Sequence, residues 1–136
     1  MKDINKILKS RTAEILLAEN GIIHQNHFPE SEVTLEDVKQ ELAIYPILSN
    51  NRKICVLIDL SNVKSVEKQA RDYLASDATS EFVLATALVA PTMVSRVLGN
   101  FFLGLNKPPI PVKLFRSKEE GLEWLMQLIS SQRGGQ

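Results

Sequence analysis

The sequence lacks the features of secreted and membrane-spanning proteins. A single cysteine, Cys55, excludes an internal disulfide and favours a reducing compartment. No apolar run approaches the roughly 18 to 20 residues that a membrane span requires. The first residues also lack the long apolar segment of a secretion signal. We therefore expect a soluble, cytoplasmic protein with no membrane span.

The charge is balanced, with 16 Lys and Arg residues against 16 Asp and Glu residues. A net charge of zero gives no electrostatic reason to expect nucleic acid or an anionic membrane as partner. It also leaves little repulsion to oppose self-association. A chain of 136 residues can form one domain with its own core. We predict a single domain over 1–136, with an N-terminal extension at 1–11 and a flexible tail at 131–136.

Familiar catalytic and metal-binding motifs are absent. The sequence has no glycine-rich phosphate loop, no Gly-x-Ser-x-Gly and no His-x-x-x-His. His24 and His27 are three residues apart, so on a strand they point to opposite sides and cannot share an ion. We favour solvated strand histidines over a metal site. We expect no cofactor and no catalytic residues, and therefore not an enzyme.

Two long apolar runs, residues 54–60 and 82–90, dominate the chain. Neither alternates with polar residues, a pattern typical of strands buried on both faces of a sheet. Asp59 is the exception, and a carboxylate there must find donors or lie at the sheet's rim. The carboxyl ends of parallel strands are where such sheets bind ligands. We favour hydrogen bonds from Asn62 and Val63 to Asp59 over a ligand site.

The N-terminal part predicts a short helix and then a hairpin. Apolar residues at helical spacing favour a helix at 3–10. Two apolar segments flank Asn20 and Gly21, a pair that suits a tight type I′ turn, so residues 13–28 are predicted to form a hairpin. A short strand is predicted at 112–115, after a proline-rich connector.

Four longer helices are predicted from capping residues and apolar stripes. Thr34 with Asp37 is a variant of the capping box, and Pro46 is expected to end that helix. Ser117 with Glu120 is a second capping box. The expected first residues of the four helices are Thr34, Ser65, Pro91 and Ser117.

The helix after Pro91 is unusually apolar. Its predicted core stripe consists of Val94, Val97, Leu98, Phe101 and Leu105, with Met93 and Phe102 at the margins. A polar side carries Ser95, Arg96, Gly99 and Asn100, with Leu103 beside them. That side is either a contact site or a solvated surface. In the last helix the core stripe is Leu122, Leu125, Met126 and Ile129, beside a second stripe of Trp124 and Leu128.

Strands separated by single helices favour right-handed parallel crossovers. The fold class is therefore α/β: a five-stranded, mainly parallel sheet with an N-terminal antiparallel hairpin and about four flanking helices. The apolar surplus on the last two helices favours a homodimer that buries residues such as Phe102, Leu103 and Trp124.

The element order and the segment Leu57-Ile58-Asp59-Leu60-Ser61-Asn62-Val63 resemble the STAS domain, the fold of bacterial anti-sigma-factor antagonists. Residues 94–109 are similar to a bacterial group of STAS-like proteins, whose fold is also similar to the larger lipid-exchange domains called CRAL-TRIO. The resemblance covers about residues 12–130. It implies a regulatory, protein-binding module with a switch region at Asp59, Ser61, Asn62, Ser65 and Lys68.

The sequence departs from that family at its phosphorylated serine. Counted from Asp59, the serine position falls on Lys68, which cannot form a phosphate ester. Ser65 is near and is either a modified residue or a plain helix cap. Two functions stay open. The first is a non-enzymatic regulatory module that binds a protein partner, as a dimer; the second is a small apolar ligand or lipid binder with a cavity lined by Met93, Val94 and Phe102.

Overall fold

The computed structural model describes the backbone of residues 6–134 and the side chains of residues 6–131. The strands are β1 (Lys6–Lys9), β2 (Ala13–Leu17), β3 (Ile23–His27), β4 (Ser31–Val33), β5 (Ile54–Asp59), β6 (Val63–Val66), β7 (Val83–Val89) and β8 (Val112–Phe115). The helices are α1 (Leu35–Ser49), α2 (Lys68–Leu74), α3 (Asp77–Ser80), α4 (Met93–Leu105) and α5 (Lys118–Gly134). None of these described helices has the length and apolarity to cross a bilayer.

The main sheet has six strands in the order β1-β2-β3-β5-β7-β8. The pairs β1–β2 and β2–β3 are antiparallel, whereas β3–β5, β5–β7 and β7–β8 are parallel. The predicted α/β class is therefore confirmed, including the N-terminal hairpin and the mainly parallel remainder. The predicted strand count of five is one too low.

The extra strand is β1, which lies where a helix was predicted. Leu8 pairs with Ile15 of β2, so the described part of residues 1–11 belongs to the sheet and is not an extension. A short isolated helix has little stability in water, whereas an edge strand gains a ladder of hydrogen bonds on one side, here to β2. Residues 3–5 of the predicted helix lie outside the described residues.

The two central strands are β5 and β7, and they run parallel, as predicted. Leu57 pairs with Ala87, and both side chains are almost completely buried. Helices α1, α2 and α4 cover one face of the sheet, and α5 covers the other. Burial on both faces explains why these strands lack polar alternation.

The β2–β3 loop differs in detail from the predicted type I′ turn. Within residues 18–22, only Gly21 has a positive φ, of 82°. Its amide donates to the carbonyl of Ala18 over 3.0 Å, while Asn20 Oδ1 accepts from the amide of Ile22. A turn followed by a left-handed glycine is the usual longer alternative to the two-residue hairpin loop.

The predicted helix start at Ser65 is wrong. Ser65 lies exposed in β6, which pairs in parallel with β4 in a separate two-stranded sheet. Glu67 occupies the N-cap position of α2, and its amide donates to the carbonyl of Val33 over 3.0 Å. Pairing with β4, which the sequence pattern did not reveal, keeps this segment extended.

Three predicted helix ends also shift. Pro46 lies inside α1, which continues to Ser49 because Leu48 and Ser49 are buried against the core. Helix α4 begins at Met93, two residues after Pro91, with a capping box between Thr92 and Ser95. Helix α5 extends to Gly134, beyond the predicted start of the tail at residue 131.

Candidate functional site

A cavity of about 90 Å³ lies between the sheet and helices α1, α2 and α4. Most of its lining is aliphatic or aromatic, and one part is polar. The apolar walls are Val33, Val38, Leu42, Ile58, Leu60, Val63, Val66, Leu74, Leu88, Leu98 and Phe102. The polar lining residues are Gln25, His27, Glu41, Tyr45 and Arg71. Apolar walls with a few convergent polar groups are the usual composition of a ligand site.

Three of the polar residues form a connected chain of hydrogen bonds. The hydroxyl of Tyr45 donates to Oε1 of Gln25 over 2.5 Å. Nε2 of Gln25 lies 3.5 Å from Nε2 of His27, and Nδ1 of His27 lies 3.4 Å from the carbonyl oxygen of Asp59. A proton on Nδ1 satisfies the whole chain, because Nε2 then accepts from the amide of Gln25.

Glu41 is the carboxyl group of this cluster and is only 4% exposed. Burial raises the pKa of Glu41 to about 7, although hydrogen bonds from Gln25 and Thr12 act in the opposite direction. The hydroxyl of Thr12 donates to Oε2 of Glu41 over 3.2 Å. Near neutral pH the side chain is therefore divided between its protonated and ionised forms.

His27 lies within reach of Glu41, with 3.9 Å between Nε2 and Oε2. Burial lowers the pKa of His27, although the backbone carbonyl of Asp59 raises it. Because burial opposes charge on both residues, the neutral acid and the neutral imidazole are favoured over an ion pair. Two neutral titratable groups with opposite shifts mark this cluster as a candidate site.

None of Gln25, Glu41 or Tyr45 was predicted as a site residue, and His27 was expected to be solvated. His27 is 7% exposed because α1 covers its side of β3. His24 is half-buried and points to the opposite side, as predicted from the strand alternation. The sequence feature that could have identified Glu41 is its spacing, which places it within the stripe of buried residues on α1.

Part of the predicted switch region adjoins this cluster. The carboxylate of Asp59 accepts from the amide and the hydroxyl of Ser61, at 2.8 and 2.6 Å. The prediction that Asn62 and Val63 supply the donors is wrong, because the chain turns within two residues of β5. Asn62 Nδ2 instead donates to the carbonyl of His27 over 3.1 Å. Lys68 bonds to a different residue, Asp72, over 2.8 Å.

Helix α4 presents the opposite face from the one predicted. Leu98 of the predicted core stripe lines the cavity, but the other four residues of the stripe and Met93 at its margin are exposed: 73% at Met93, 71% at Val94, 64% at Val97, 51% at Phe101 and 61% at Leu105. These five residues are called the α4 apolar face below. Ser95 and Gly99 are buried, and a β-carbon at Gly99 would lie 2.6 Å from Leu114 Cδ1. The helix therefore packs through its small residues, which allow close approach to the sheet.

The predicted contact residues do not form one exposed patch. Ser95 is 1% exposed and belongs to the capping box, while Arg96 is half-buried and donates to the carbonyl of Pro91. Asn100 is exposed and Leu103 is half-buried. Phe102 lines the cavity from α4, whereas Met93 and Val94 point away from it.

The second predicted contact region is on α5. Trp124 is half-buried against Phe115, with 5.5 Å between the ring centroids. Lys113 Nζ lies 5.7 Å from the ring of Trp124. The predicted core residue Met126 is 40% exposed, and Leu125 of the same stripe is fully buried.

A family model described as "Domain of unknown function (DUF7793)" matches residues 16–129. The chain belongs to this family. The match covers β3 through most of α5 and so includes the cavity, the switch region and the α4 apolar face. No curated protein is significantly similar to this DUF7793 chain.

The fold is similar to that of a solved structure. An uncharacterised protein of the DUF3478 family with a SpoIIAA-like fold, from Shewanella loihica PV-4, aligns with a TM-score of 0.53 and 19% identity, covering 89% of this chain and 91% of the other. A protein of unknown function from Arthrobacter sp. FB24 has a TM-score of 0.34 and 27% identity over 87% and 95% of the two chains. The DUF7793 chain thus has the SpoIIAA-like fold, the fold of STAS domains, as the sequence resemblance implied.

Proposed function

We propose that this DUF7793 domain is a non-enzymatic regulatory module that acts by protein binding, and that its α4 apolar face pairs with a second copy of the chain. The observation that supports this proposal is the exposure of that face. Five large apolar side chains on one helix lie between 51% and 73% exposed. Contiguous apolar surface of this kind usually marks an interaction site.

Charge favours a second copy as the occupant. The α4 apolar face contains no charged side chain, so two copies can meet across a two-fold axis without like-charge contact. The net charge of zero removes long-range repulsion between copies. At the edge, the guanidinium of Arg71 lies 5.1 Å from the ring of Phe101. An apolar centre with a polar rim is the usual anatomy of a protein interface.

The polar cluster at the cavity supports a binding role more than a catalytic one. Glu41 and His27 are 4% and 7% exposed where α1 faces the sheet, so only a molecule small enough to enter the cavity can contact them. Regulation by a phosphoserine at the family position is excluded by Lys68. The proposed location is the cytoplasm, where a lone buried thiol such as Cys55 stays reduced.

The second candidate function, small-ligand binding, is favoured by the cavity itself. Its volume of about 90 Å³ is well below the roughly 300 Å³ at which typical ligand pockets begin. A lipid acyl chain therefore does not fit without rearrangement of α2 or α4. The cavity favours a much smaller molecule than the CRAL-TRIO resemblance implies.

The self-association proposal is tested with Val97→Glu, at the middle of the α4 apolar face. Val97 is 64% exposed, so the substitution leaves the fold intact but places a carboxylate in the interface, where its desolvation is costly. We expect light scattering to give about twice the monomer mass for the wild type and the monomer mass for Val97→Glu.

Ile47→Glu is the matched control, because Ile47 is 67% exposed on α1. We expect this variant to associate like the wild type. A monomeric wild type, or an unchanged mass of Val97→Glu, would show that the α4 apolar face does not pair with a second copy.

A further inference from the structure

We infer that the cavity beneath α1, α2 and α4 binds a small, uncharged, mainly apolar molecule that carries one hydroxyl group. This inference rests on the second proposed function, small-ligand binding, and is independent of pairing through α4. It names the chemical class of the ligand, which neither the fold nor the family description supplies.

The size of the cavity limits the ligand. A water-sized group needs about 10 to 15 Å³ of such space, so 90 Å³ holds about six to nine non-hydrogen atoms. That is the size of one substituted six-membered ring. Val38, Leu42 and Leu98 surround this space with aliphatic groups, which offer nothing to a second polar substituent. A charged ligand would lose its hydration without an ionised partner and is therefore disfavoured.

The polar residues that line the cavity indicate which hydrogen-bonding group the ligand carries. Tyr45, Gln25 and His27 already bond to one another or to the backbone. Glu41 receives a bond from Thr12 at Oε2, and its protonated form adds a donor as well as further acceptor capacity. A hydroxyl group, which both donates and accepts, is the smallest uncharged complement of a protonated carboxyl group.

The pKa values of the lining residues are consistent with an uncharged ligand. Burial raises the pKa of Glu41 to about 7, and Asp37 on the same helix raises it further. Burial also lowers the pKa of His27. The remaining charged lining residue, Arg71, is held by the carbonyl of Val66 and the ring of Phe101. At neutral pH and below, the polar end of the cavity therefore favours a neutral partner.

The test is calorimetric titration of the full chain with phenol and with toluene, at about pH 6, where Glu41 is mostly protonated. The two compounds have the same size and differ in the hydroxyl group. We expect saturable binding of phenol, with toluene roughly tenfold weaker. Amide chemical-shift changes are expected at Gln25, His27 and Glu41.

Val66→Phe fills part of the cavity from β6, and we expect phenol binding to fall by about tenfold or more. Ile47→Phe is the matched control, because Ile47 is 67% exposed on α1 and belongs neither to the cavity lining nor to the α4 apolar face, and it should bind phenol like the wild type. If Val66→Phe does not fold, as judged by circular dichroism, Leu98→Phe serves the same purpose from α4.

The outcomes separate the inference from the function on which it rests. Equal affinities for phenol and toluene would overturn the hydroxyl assignment while small-ligand binding stands. Absence of saturable binding for both compounds would show that the cavity holds only water, and would overturn both. Binding that persists unchanged in Val66→Phe and Leu98→Phe would place the site elsewhere and overturn the inference.

Discussion

His27 Nδ1 lies 3.4 Å from the carbonyl oxygen of Asp59, the last residue of β5. The backbone carbonyl of His27 accepts in turn from the side-chain amide of Asn62. His27 therefore joins the polar lining of the cavity to the loop that follows the central strand. The same loop contains Ser61 and Asn62 of the switch region implied by the STAS resemblance, and Asp59 directly precedes it.

We expect His27→Ala to destabilise the domain by about 2 to 3 kcal/mol. The substitution leaves the amide of Gln25 and the carbonyl of Asp59 without their buried partner, and it enlarges the cavity. The free energy of unfolding, measured by urea titration, checks this expectation.

His24→Ala is the matched control on the same strand. Among the side chains of residues 6–131, none bonds to the buried Nε2 of His24, so removing this ring breaks no such bond at that atom. We expect a loss below about 1 kcal/mol. Equal losses for the two variants would contradict a linking role for His27.

Glu41→Gln should become more stable than the wild type as the pH rises. The folded state keeps Glu41 protonated up to a pKa of about 7, whereas the unfolded chain releases this proton near 4.5. The contribution of Glu41 is therefore fully present below the lower value and is lost as the pH rises through 7. A neutral glutamine avoids this loss, so we expect an advantage of up to about 3 kcal/mol above pH 7.

Other titratable residues near Glu41 also affect how stability depends on pH, and they are unchanged between the wild type and Glu41→Gln. Asp37 on α1, which is paired with Arg11, raises the pKa of Glu41. His27 acts in the opposite direction on stability, because its lowered pKa makes the folded state lose stability as the pH falls below 6.5. Urea titrations between about pH 5 and 8, interpreted by linkage, measure the difference.

Glu36→Gln, at an exposed position five residues earlier on α1, is the control for this pH series. Its stability relative to the wild type should stay nearly constant with pH. If Glu41→Gln shows no pH-dependent advantage, Glu41 is solvated and ionised in the folded protein, contrary to the buried position described above.

Two helical glycines should respond oppositely to alanine. A β-carbon at Gly121 of α5 would lie 2.9 Å from Leu57 Cδ1 and 3.3 Å from Ala87 Cβ, both in the central strands. We expect Gly121→Ala to cost about 1 to 3 kcal/mol, because crowding outweighs the gain in helix propensity. Thermal and urea unfolding measure the effect.

Gly104→Ala is the comparison, because nothing lies within 4 Å of a β-carbon there. Alanine should raise the free energy of unfolding by about 0.5 kcal/mol through its better helix propensity. A stabilising Gly121→Ala would mean that α5 sits farther from the sheet than the structure places it.

The sheet was the part of the fold that the sequence predicted best. The runs at residues 54–60 and 82–90 are apolar apart from Asp59 and Thr86, and only a central position buries both faces of a strand. Strand β4 was missed because three residues, Ser31–Val33, are too short for a periodic signal. Its pairing with β6 then explains the misplaced start of α2 at Ser65.

The orientation of α4 was not predictable from periodicity alone. The apolar stripe was identified correctly, but periodicity cannot tell whether such a stripe faces the core or a partner. Ser95 and Gly99 are the buried residues of this helix, and Gly99 packs close to Leu114 and Leu60, which is a property of the assembled structure. Glu41 was missed for a related reason: periodicity identifies apolar positions, and it does not indicate that a carboxyl group within such a stripe is buried.

Strand β1 has a consequence for how the molecule associates. All four of its side chains are exposed, and Lys6 and Lys9 stand at its two ends. An open sheet margin offers unpaired backbone groups to any extended chain, and lysines there discourage such strand addition. Copies of the protein are therefore unlike amyloid-forming chains at this edge of the sheet, because β1 does not favour the addition of a further strand.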